Sequence, residues 1–482
     1  MSKINVPALP LDYSYDFSGP GVVRGGRSDK LGEEIEGHSF ADEFYVNDET
    51  ISDSFGRTLE PLYADWIDVA LAAYISDRES PRRDPKSPER AYQWARRMHL
   101  IIPVRFPEVW QRPEVSDSLR QALGFLTDDD WQFEFVARRR RGRLSERQQF
   151  LFQTPMQSPV RVALLSGGLD SFAGAGRVVA DFPDHSFVFV SGATNSRQRW
   201  AQREQMRATR RLARGEMCHI TIPFGFKARS RSRGKDEESS QRTRGFLFLT
   251  YGAVTALMAG ASELYIHENG VGAINLPYNA TQLGTSNSRG VHPLSLLRMG
   301  ELTEALVGVP FAFLNPFLYQ TKGQMCRHPA VRRLAPYIKT TFSCDAFPVQ
   351  TKGKPQCGSC TSCHLRRVSL EAAGLSAYDP SDHYICDLSD PETRASEKQL
   401  QHLLAMEWQF SKISLKLQTL DPWQSMVTEF TDLQTIASEL GAHIDGGEKM
   451  VRRSILKLYA RYVSEWEKYS ARERLRVRAQ AA

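Results

Sequence analysis

No Gly-Lys-Ser or Gly-Lys-Thr occurs in the 482 residues. That excludes the P-loop of GTPases and kinase-like enzymes, whose lysine must reach the β and γ phosphates. Neither sign of charge dominates: 62 Lys+Arg stand against 56 Asp+Glu, a formal +6 at pH 7, too slight to argue for nucleic acid by itself. The segment from Met1 to Ser18 has no basic stretch leading into an apolar core, so no secretory signal and a cytoplasmic location are expected. Long apolar runs are scarce as well. The charge-free stretch Gly245 to Ser262 is interrupted by Thr250, Gly252, Thr255 and Gly260 and predicts a buried helix, not a membrane span. What is present is an ordinary globular composition, 41% hydrophobic and 24% charged, long enough at roughly 150 residues per domain for about three domains.

Three regions differ in rhythm. In residues 1–155 Leu62, Trp66, Val69, Ala70 and Ala73 recur at helical spacing, while Trp131, Phe133 and Phe135 alternate with polar residues as in a half-buried strand. A small N-terminal α+β domain is expected there. The run Arg138 to Arg141 with Arg143 reads as a solvated junction. In residues 156–390 the short apolar runs Arg161–Leu165, Phe187–Ser191, Met217–Ile222, Leu264–His267 and Phe311–Leu314 alternate with helix-length segments, which predicts a doubly wound α/β fold with a parallel sheet. Polar insertions at Lys227–Gln241 and Glu268–His292 follow strands and are expected to be loops over a site. Residues 391–482 read as a C-terminal helical region. One stripe there comprises Leu400, Leu403, Leu404 and Trp408, Pro422 breaks the pattern, and a second stripe comprises Val451, Ile455, Leu458, Tyr459, Tyr462 and Trp466; both predict core packing.

The chemistry concentrates in two motifs. Strand Val162–Leu165 runs into Ser166-Gly167-Gly168-Leu169-Asp170-Ser171 and then a helix. Adjacent glycines let the backbone approach an oxyanion, and the following amides point at it from a helix N-terminus. An acidic residue within an anion loop is costly unless it meets Mg²⁺ or another positive group, so Asp170 suggests a metal-bound pyrophosphate. The glycines are not spaced as a dinucleotide fingerprint requires. The second motif is Cys344, then Cys357-Gly-Ser-Cys360-Thr-Ser-Cys363. Four cysteines at this spacing can close a tetrahedral shell with no open position, which suggests a structural Zn²⁺. An iron–sulfur cluster also uses four cysteines, but a Gly358-containing knuckle favours zinc. Cys218 reads as core; Cys326 and Cys386 carry no assignment.

The strand followed by Ser-Gly-Gly-x-Asp-Ser resembles the PP-loop of the ATP pyrophosphatases, the HUP-type fold that cleaves ATP between the α and β phosphates. Together with the downstream cysteine knuckle at 344–363, the region 160–380 is similar to the 7-cyano-7-deazaguanine synthase (QueC) family. Asn315-Pro316-Phe317 leading to Lys322, Ser343-Cys344, and Leu365-Arg366 after the knuckle extend the likeness. The resemblance implies that Ser166, Gly167, Gly168, Leu169, Asp170 and Ser171 bind ATP, with Mg²⁺ near Asp170. It further implies that Asp170, Lys322 and Arg244 serve catalysis and that a carboxylate on a 7-deazapurine is adenylated and passed to a nitrogen nucleophile.

The departures are informative. Gly245 follows Arg244 where the family has asparagine, and ENGVGAINLPYNATQLG replaces the family's pocket loop, making Glu268, Asn269, Asn275 and Pro277 candidate substrate residues of another kind. The flanking regions look like those of the QueC-like members of the Qat antiphage cassettes. That likeness implies a protein partner, encoded nearby, as acceptor; from the sequence itself no role for a membrane is expected, and nucleic acid is possible but not favoured. Two other readings stay open: a PP-loop enzyme modifying tRNA, supported by Arg138–Arg141 and by Arg229, Arg231 and Arg233, and a non-catalytic nucleotide-binding scaffold of a defence complex.

Overall fold

The computed structural model of the chain describes residues 11–18, 23–25, 44–82, 95–139, 142–150, 156, 159–226, 238, 240–278, 289–345, 354–386 and 397–481. Ten strands lie among them: β1 (Tyr13–Asp16), β2 (Val23–Gly25), β3 (Phe44–Val46), β4 (Arg97–Val104), β5 (Asp130–Ala137), β6 (Val160–Leu164), β7 (Ser186–Ala193), β8 (Met217–Phe226), β9 (Glu263–Tyr265) and β10 (Ala312–Leu314). They form a four-stranded sheet in the order β2-β1-β4-β5 and a six-stranded sheet in the order β10-β9-β6-β7-β8-β3.

The five strands expected in the middle region are β6 to β10, and they pair in parallel throughout. Parallel strands are buried on both faces and therefore read as continuous apolar runs; β7 shows this, with only Gly192 short of full burial. Val162, Val188, Ile220 and Leu264 face the helix Arg244–Met258. Ala163, Leu165, Phe187 and Phe189 face Ala175, Val179 and Met206 of the helices Leu169–Asp181 and Ser196–Arg210. The chain leaves β6 for β7 on one side and returns to β9 on the other, so the strand order reverses between β6 and β9. In open parallel sheets such a reversal opens a crevice at the strands' carboxyl ends.

Residues on both sides of position 155 share one apolar core. β3 completes the six-stranded sheet, antiparallel to β8 with Phe44 opposite Phe226. Trp66, Ile67 and Tyr74 of the helix Pro61–Arg78 join Phe246 and Tyr251 of the central helix in a single cluster. Asp77 fastens the two helices by accepting from Thr243 N at 3.1 Å and Oγ1 at 2.8 Å.

The arginine run requires a correction. Arg138 pairs with Asp68 at 2.9 Å, and Arg143 pairs with Asp48 at 2.8 Å and also with Asp68. These acids lie in the N-terminal region and draw both guanidinium groups inward, whereas Arg140 and Arg141 lie outside the described residues.

The tail comprises the helices Glu397–Leu417, Pro422–Glu429, Asp432–Gly441 and Gly447–Ala481. Pro422 starts a helix, capped by Asp421, whose side chain accepts from Gln424 N at 3.0 Å. The second stripe is buried along its length, at most 2% exposed from Val451 to Trp466. The first is displaced: Leu404 is 57% exposed, and Met406, Gln409 and Ile413 are buried instead, because the helix Glu397–Leu417 packs against both Thr361–Ala373 and Gly447–Ala481. Gly245–Ser262 contains the buried helix expected, and among the described residues no helix is long and apolar enough to cross a membrane.

Candidate functional site

The Ser166–Ser171 loop lies at the carboxyl end of β6, beside the strand-order reversal. Gly167 has φ +94°, where a side chain is strained, and a Cβ on it would sit 2.8 Å from the Phe342 ring. The loop is fastened through its carbonyls. Gln202 Nε2 donates to Ser166 O at 3.1 Å and Gln205 Nε2 to Gly167 O at 2.8 Å. Ser166 Oγ accepts from Gly168 N at 3.2 Å and lies 3.0 Å from Ser171 Oγ. Leu169 is fully buried in the apolar cluster beneath, so its side chain anchors the helix start while its backbone belongs to the loop.

Asp170 finds its positive group in Lys322, with Oδ2 and Nζ 2.7 Å apart and both side chains at most 10% exposed. Asp170 Oδ1 accepts from Asn269 Nδ2 at 3.0 Å, and the same amide donates to Glu268 Oε1 at 2.7 Å. Glu268 and Asn269 follow β9, so the cluster spans the carboxyl ends of β6 and β9. Asn315 holds it from below, its Nδ2 donating to Glu268 O at 2.9 Å. Asn269 also caps the helix Gly270–Ile274, and Thr321 caps Lys322–Cys326 in a capping box with Gln324; these two caps fix the approach of Asn269 and Lys322. Burial and the neighbouring Asp170 charge push the Glu268 carboxyl up to about 8. Burial alone would lower the Lys322 ammonium, but Asp170 and Glu268 raise it.

The knuckle brings Cys344, Cys357, Cys360 and Cys363 together, their sulfurs all within 4.8 Å of one another. Cys357 and Cys363 Sγ are 3.9 Å apart, close to the ~3.8 Å edge of a zinc tetrathiolate with bonds of about 2.3 Å. Backbone amides support the sulfurs: Cys357 N donates to Cys344 Sγ and Cys360 N to Cys357 Sγ, each at 3.3 Å, as outer-shell groups do around a metal. Gly358 turns at φ +87°, where a Cβ would strike Cys386 O at 2.1 Å. The four cysteines can hold a metal such as zinc.

The knuckle and the Ser166–Ser171 loop touch through one segment. Arg366, fully buried, donates to Thr341 Oγ1 at 2.7 Å and Ile338 O at 3.1 Å and pairs with Asp379 at 3.0 Å. Gln356 Nε2 donates to Thr341 O at 3.2 Å. Phe342, held between these ties, lays its ring over Gly167 and donates from its N to Gly167 O at 3.3 Å.

Not every predicted residue joins the cluster. Arg244 is exposed at the start of its helix, donating to Gln241 Oε1 at 3.1 Å, and no contact among the described residues links it to Asp170. Gly245 beside it abuts Gly290, whose Cα would lie 2.6 Å from an added Cβ, so a larger residue is excluded there. Asn275 ends the short helix in a left-handed conformation, φ 50°. Pro277 O accepts from Gln409 of the tail at 3.2 Å. Arg229, Arg231 and Arg233 lie outside the described residues.

Sequence reasoning missed Gln202, Gln205, Phe342 and the tail residue Gln409. Isolated glutamines and aromatics carry no motif, and only their long-range partners reveal a role. Comparison with known protein families finds no family that matches this chain, and no curated protein matches its sequence.

Proposed function

We propose that this chain is a PP-loop ATP pyrophosphatase resembling the QueC family, a ligase that adenylates a 7-deazapurine carboxylate and passes it to a nitrogen nucleophile. The observation that carries the reading is the meeting of Asp170, Lys322, Glu268 and Asn269 beside the Ser166–Ser171 loop, at the carboxyl ends of two neighbouring strands. A carboxylate oxygen bonds to the α-phosphorus of ATP as the α–β bridging bond breaks and pyrophosphate leaves. The amine then bonds to the acyl carbon, AMP departs, and the amine gives up a proton.

In this reading the loop amides and the Ser166 and Ser171 hydroxyls cradle the phosphates, and Lys322 stabilises charge developing on them. Among the described residues each Asp170 oxygen has one partner, leaving a further lone pair, enough to accept Mg²⁺, which would draw Glu268 back toward ionisation. Zn²⁺ in the knuckle would brace Phe342 against Gly167. An antiphage setting, with a protein amine as acceptor, follows from the likeness to the Qat proteins alone.

The test is pyrophosphate release from ATP with 7-carboxy-7-deazaguanine. Asp170→Asn is expected to lower it by about a hundredfold or more. No release with any deazapurine, with or without proteins encoded nearby, sinks the reading. Asp170→Asn that keeps phage protection favours the scaffold.

A second reading, tRNA modification, draws on the helix Ser196–Arg210. It exposes Arg197, Arg199, Arg203, Arg207 and Arg210 around Trp200, itself 53% exposed, a pairing of cations and aromatic surface that suits nucleic acid. tRNA affinity falling steeply between low and moderate salt would favour it.

A further inference from the structure

The helix Ser196–Arg210 has two unlike faces. Its inner face belongs to the site: Gln202 and Gln205 hold the loop carbonyls, and Gln205 Nε2 also lies 3.5 Å from Thr340 O. Its outer face is cationic. From Ser196 to Arg211 the chain has six arginines, all exposed, against the single acid Glu204, a surplus of five where the whole chain carries +6. Glu204 is spent on Arg207 at 2.7 Å. At 3.6 residues per turn Trp200, Arg207 and Arg211 fall on one stripe and Arg199, Arg203 and Arg210 on the next. Trp200 stands among these cations 53% exposed. A groove of about 670 Å³ runs beside the helix, where Arg333, Tyr337 and Lys339 join Trp200 and Arg211. The Arg211 guanidinium lies 5.3 Å from the centre of the Tyr337 ring.

Helix stability alone does not account for this face. Arg199, Arg203, Arg207 and Arg211 follow one another at i,i+4, where like charges destabilise a helix. Arg197 and Arg199 stand at its amino end, where the dipole favours acids and the first turn has none. A solvated charged helix mixes both signs, and core packing would bury Trp200. Phosphates relieve the repulsion, and an indole among guanidinium groups offers a base a surface to stack on. An acidic peptide would answer the charge and leave Trp200 unused, whereas a duplex keeps its base faces stacked on one another. The groove also has a direction. Trp200 lies near the carboxyl end of β7, on the sheet edge that carries the Ser166–Ser171 loop after β6, and Arg211 lies about 16 Å farther along the helix.

We propose that the outer face of the helix Ser196–Arg210 and the groove beside it bind a single-stranded stretch of nucleic acid. Its phosphates lie on Arg199, Arg203, Arg211 and Lys339, a base stacks on Trp200, and the strand runs along the helix toward the sheet edge that carries the loop. The inference rests on the nucleic-acid reading above and deepens it by naming the single strand and the residues that hold it. One helix then grips the strand with its outer face and the loop carbonyls with its inner one.

The experiment follows the fluorescence anisotropy of a short labelled single-stranded RNA of mixed sequence on the full chain, with thermal unfolding of each variant alongside. Unlabelled strand, tRNA, the matching duplex and a polyglutamate peptide serve as competitors. Trp200→Ala is expected to weaken binding about tenfold. Arg199→Gln combined with Arg203→Gln should reduce the slope of log affinity against log salt by about 1.4, with Tm unchanged or higher. Arg120→Gln, on an exposed residue of the helix Pro113–Thr127, should change neither. Binding indifferent to Trp200→Ala and to the arginine pair overturns the inference. So does displacement by polyglutamate or by the duplex that equals displacement by the unlabelled strand at the same charge. If neither the strand nor tRNA binds at low salt, the nucleic-acid reading falls together with this inference, whereas tRNA that binds wild type and all variants alike overturns this inference alone.

Discussion

Of the buried charge clusters among the described residues, the one around Arg96 in the N-terminal region and the one at the strand-order reversal are built on opposite terms. In the first, Arg96 bonds Asp129 Oδ2 and Asp77 Oδ1, each at 2.6 Å, while Arg82 makes a bidentate pair with Asp129 at 2.9 and 2.8 Å. Among the described residues two guanidinium groups meet two carboxylates there. Burial alone would raise the Asp77 carboxyl, but Arg96 and Thr243 hold it below its usual value. In the second, Lys322 is the one cation facing Asp170 and Glu268 among the described residues, with Asp345 close by and also raised by burial. The balanced cluster is a fastening. The acid-rich one has more carboxylates than cations among the described residues, and burial with the Asp170 charge keeps the proton on Glu268.

The sharpest test replaces the central cation of each. Lys322→Met is expected to cut deazapurine-dependent pyrophosphate release by about 10²–10³, measured in a coupled assay. Arg96→Met should leave the activity per folded molecule intact and cost about 3–5 kcal/mol in urea unfolding, because it strands buried carboxylates. If the two variants exchange these outcomes, the distinction is wrong.

Next in size is a pH effect of opposite sign in the two clusters. The folded Glu268 carboxyl keeps its proton up to about 8, whereas the unfolded one releases it near 4.5. Its contribution to stability is therefore full below the unfolded value and is lost as pH rises toward 8, with a slope of up to about 1.4 kcal/mol per unit. Glu268→Gln should remove that slope in denaturation series at pH 5, 6.5 and 8. Asp77, held low, contributes above its unfolded value and loses that contribution as pH falls through its folded one; Asp77→Asn should flatten the acid limb.

Gly167→Ala asks whether the loop backbone matters apart from charge. Its left-handed φ and the Phe342 ring predict a loss of about 1–2 kcal/mol, read by thermal unfolding. The smallest expected effect is at Leu404: Leu404→Ser on the exposed face should stay within about 0.5 kcal/mol, and a larger loss would restore the helical stripe read from the sequence.

Much of the site was legible because its signals are local. The glycine pair after Val162–Leu165 and the cysteine spacing are written in contiguous residues, and the five buried strands announced themselves as apolar runs. Lys322 came from a resemblance, and Glu268 with Asn269 from a departure from it. The hold of Gln202 and Gln205 on the loop carbonyls was not legible, nor was the place of Phe342 over Gly167. Each depends on segments far apart in the chain, and none of these side chains has a pattern of its own. Arg138 and Arg143 misled for the same reason: a charge run reads as solvated until the acids that face it, Asp48 and Asp68, are known.

By itself the sequence determined the five parallel strands of the middle region, the sharp glycine turn after the first of them, and which four cysteines can close on a metal, since each follows from residue type at short spacing. Only the tertiary structure decided that β3 joins the central sheet and that the segment beside the knuckle meets the Ser166–Ser171 loop through Phe342. It also decided that the carboxyl-terminal helix, whose stripe reads as plain core, packs on Gly270 and Thr321, the neighbours of Asn269 and Lys322. The reason is physical. Local propensity fixes backbone shape over a few residues, whereas the partner of a buried polar group is set by packing between elements hundreds of residues apart.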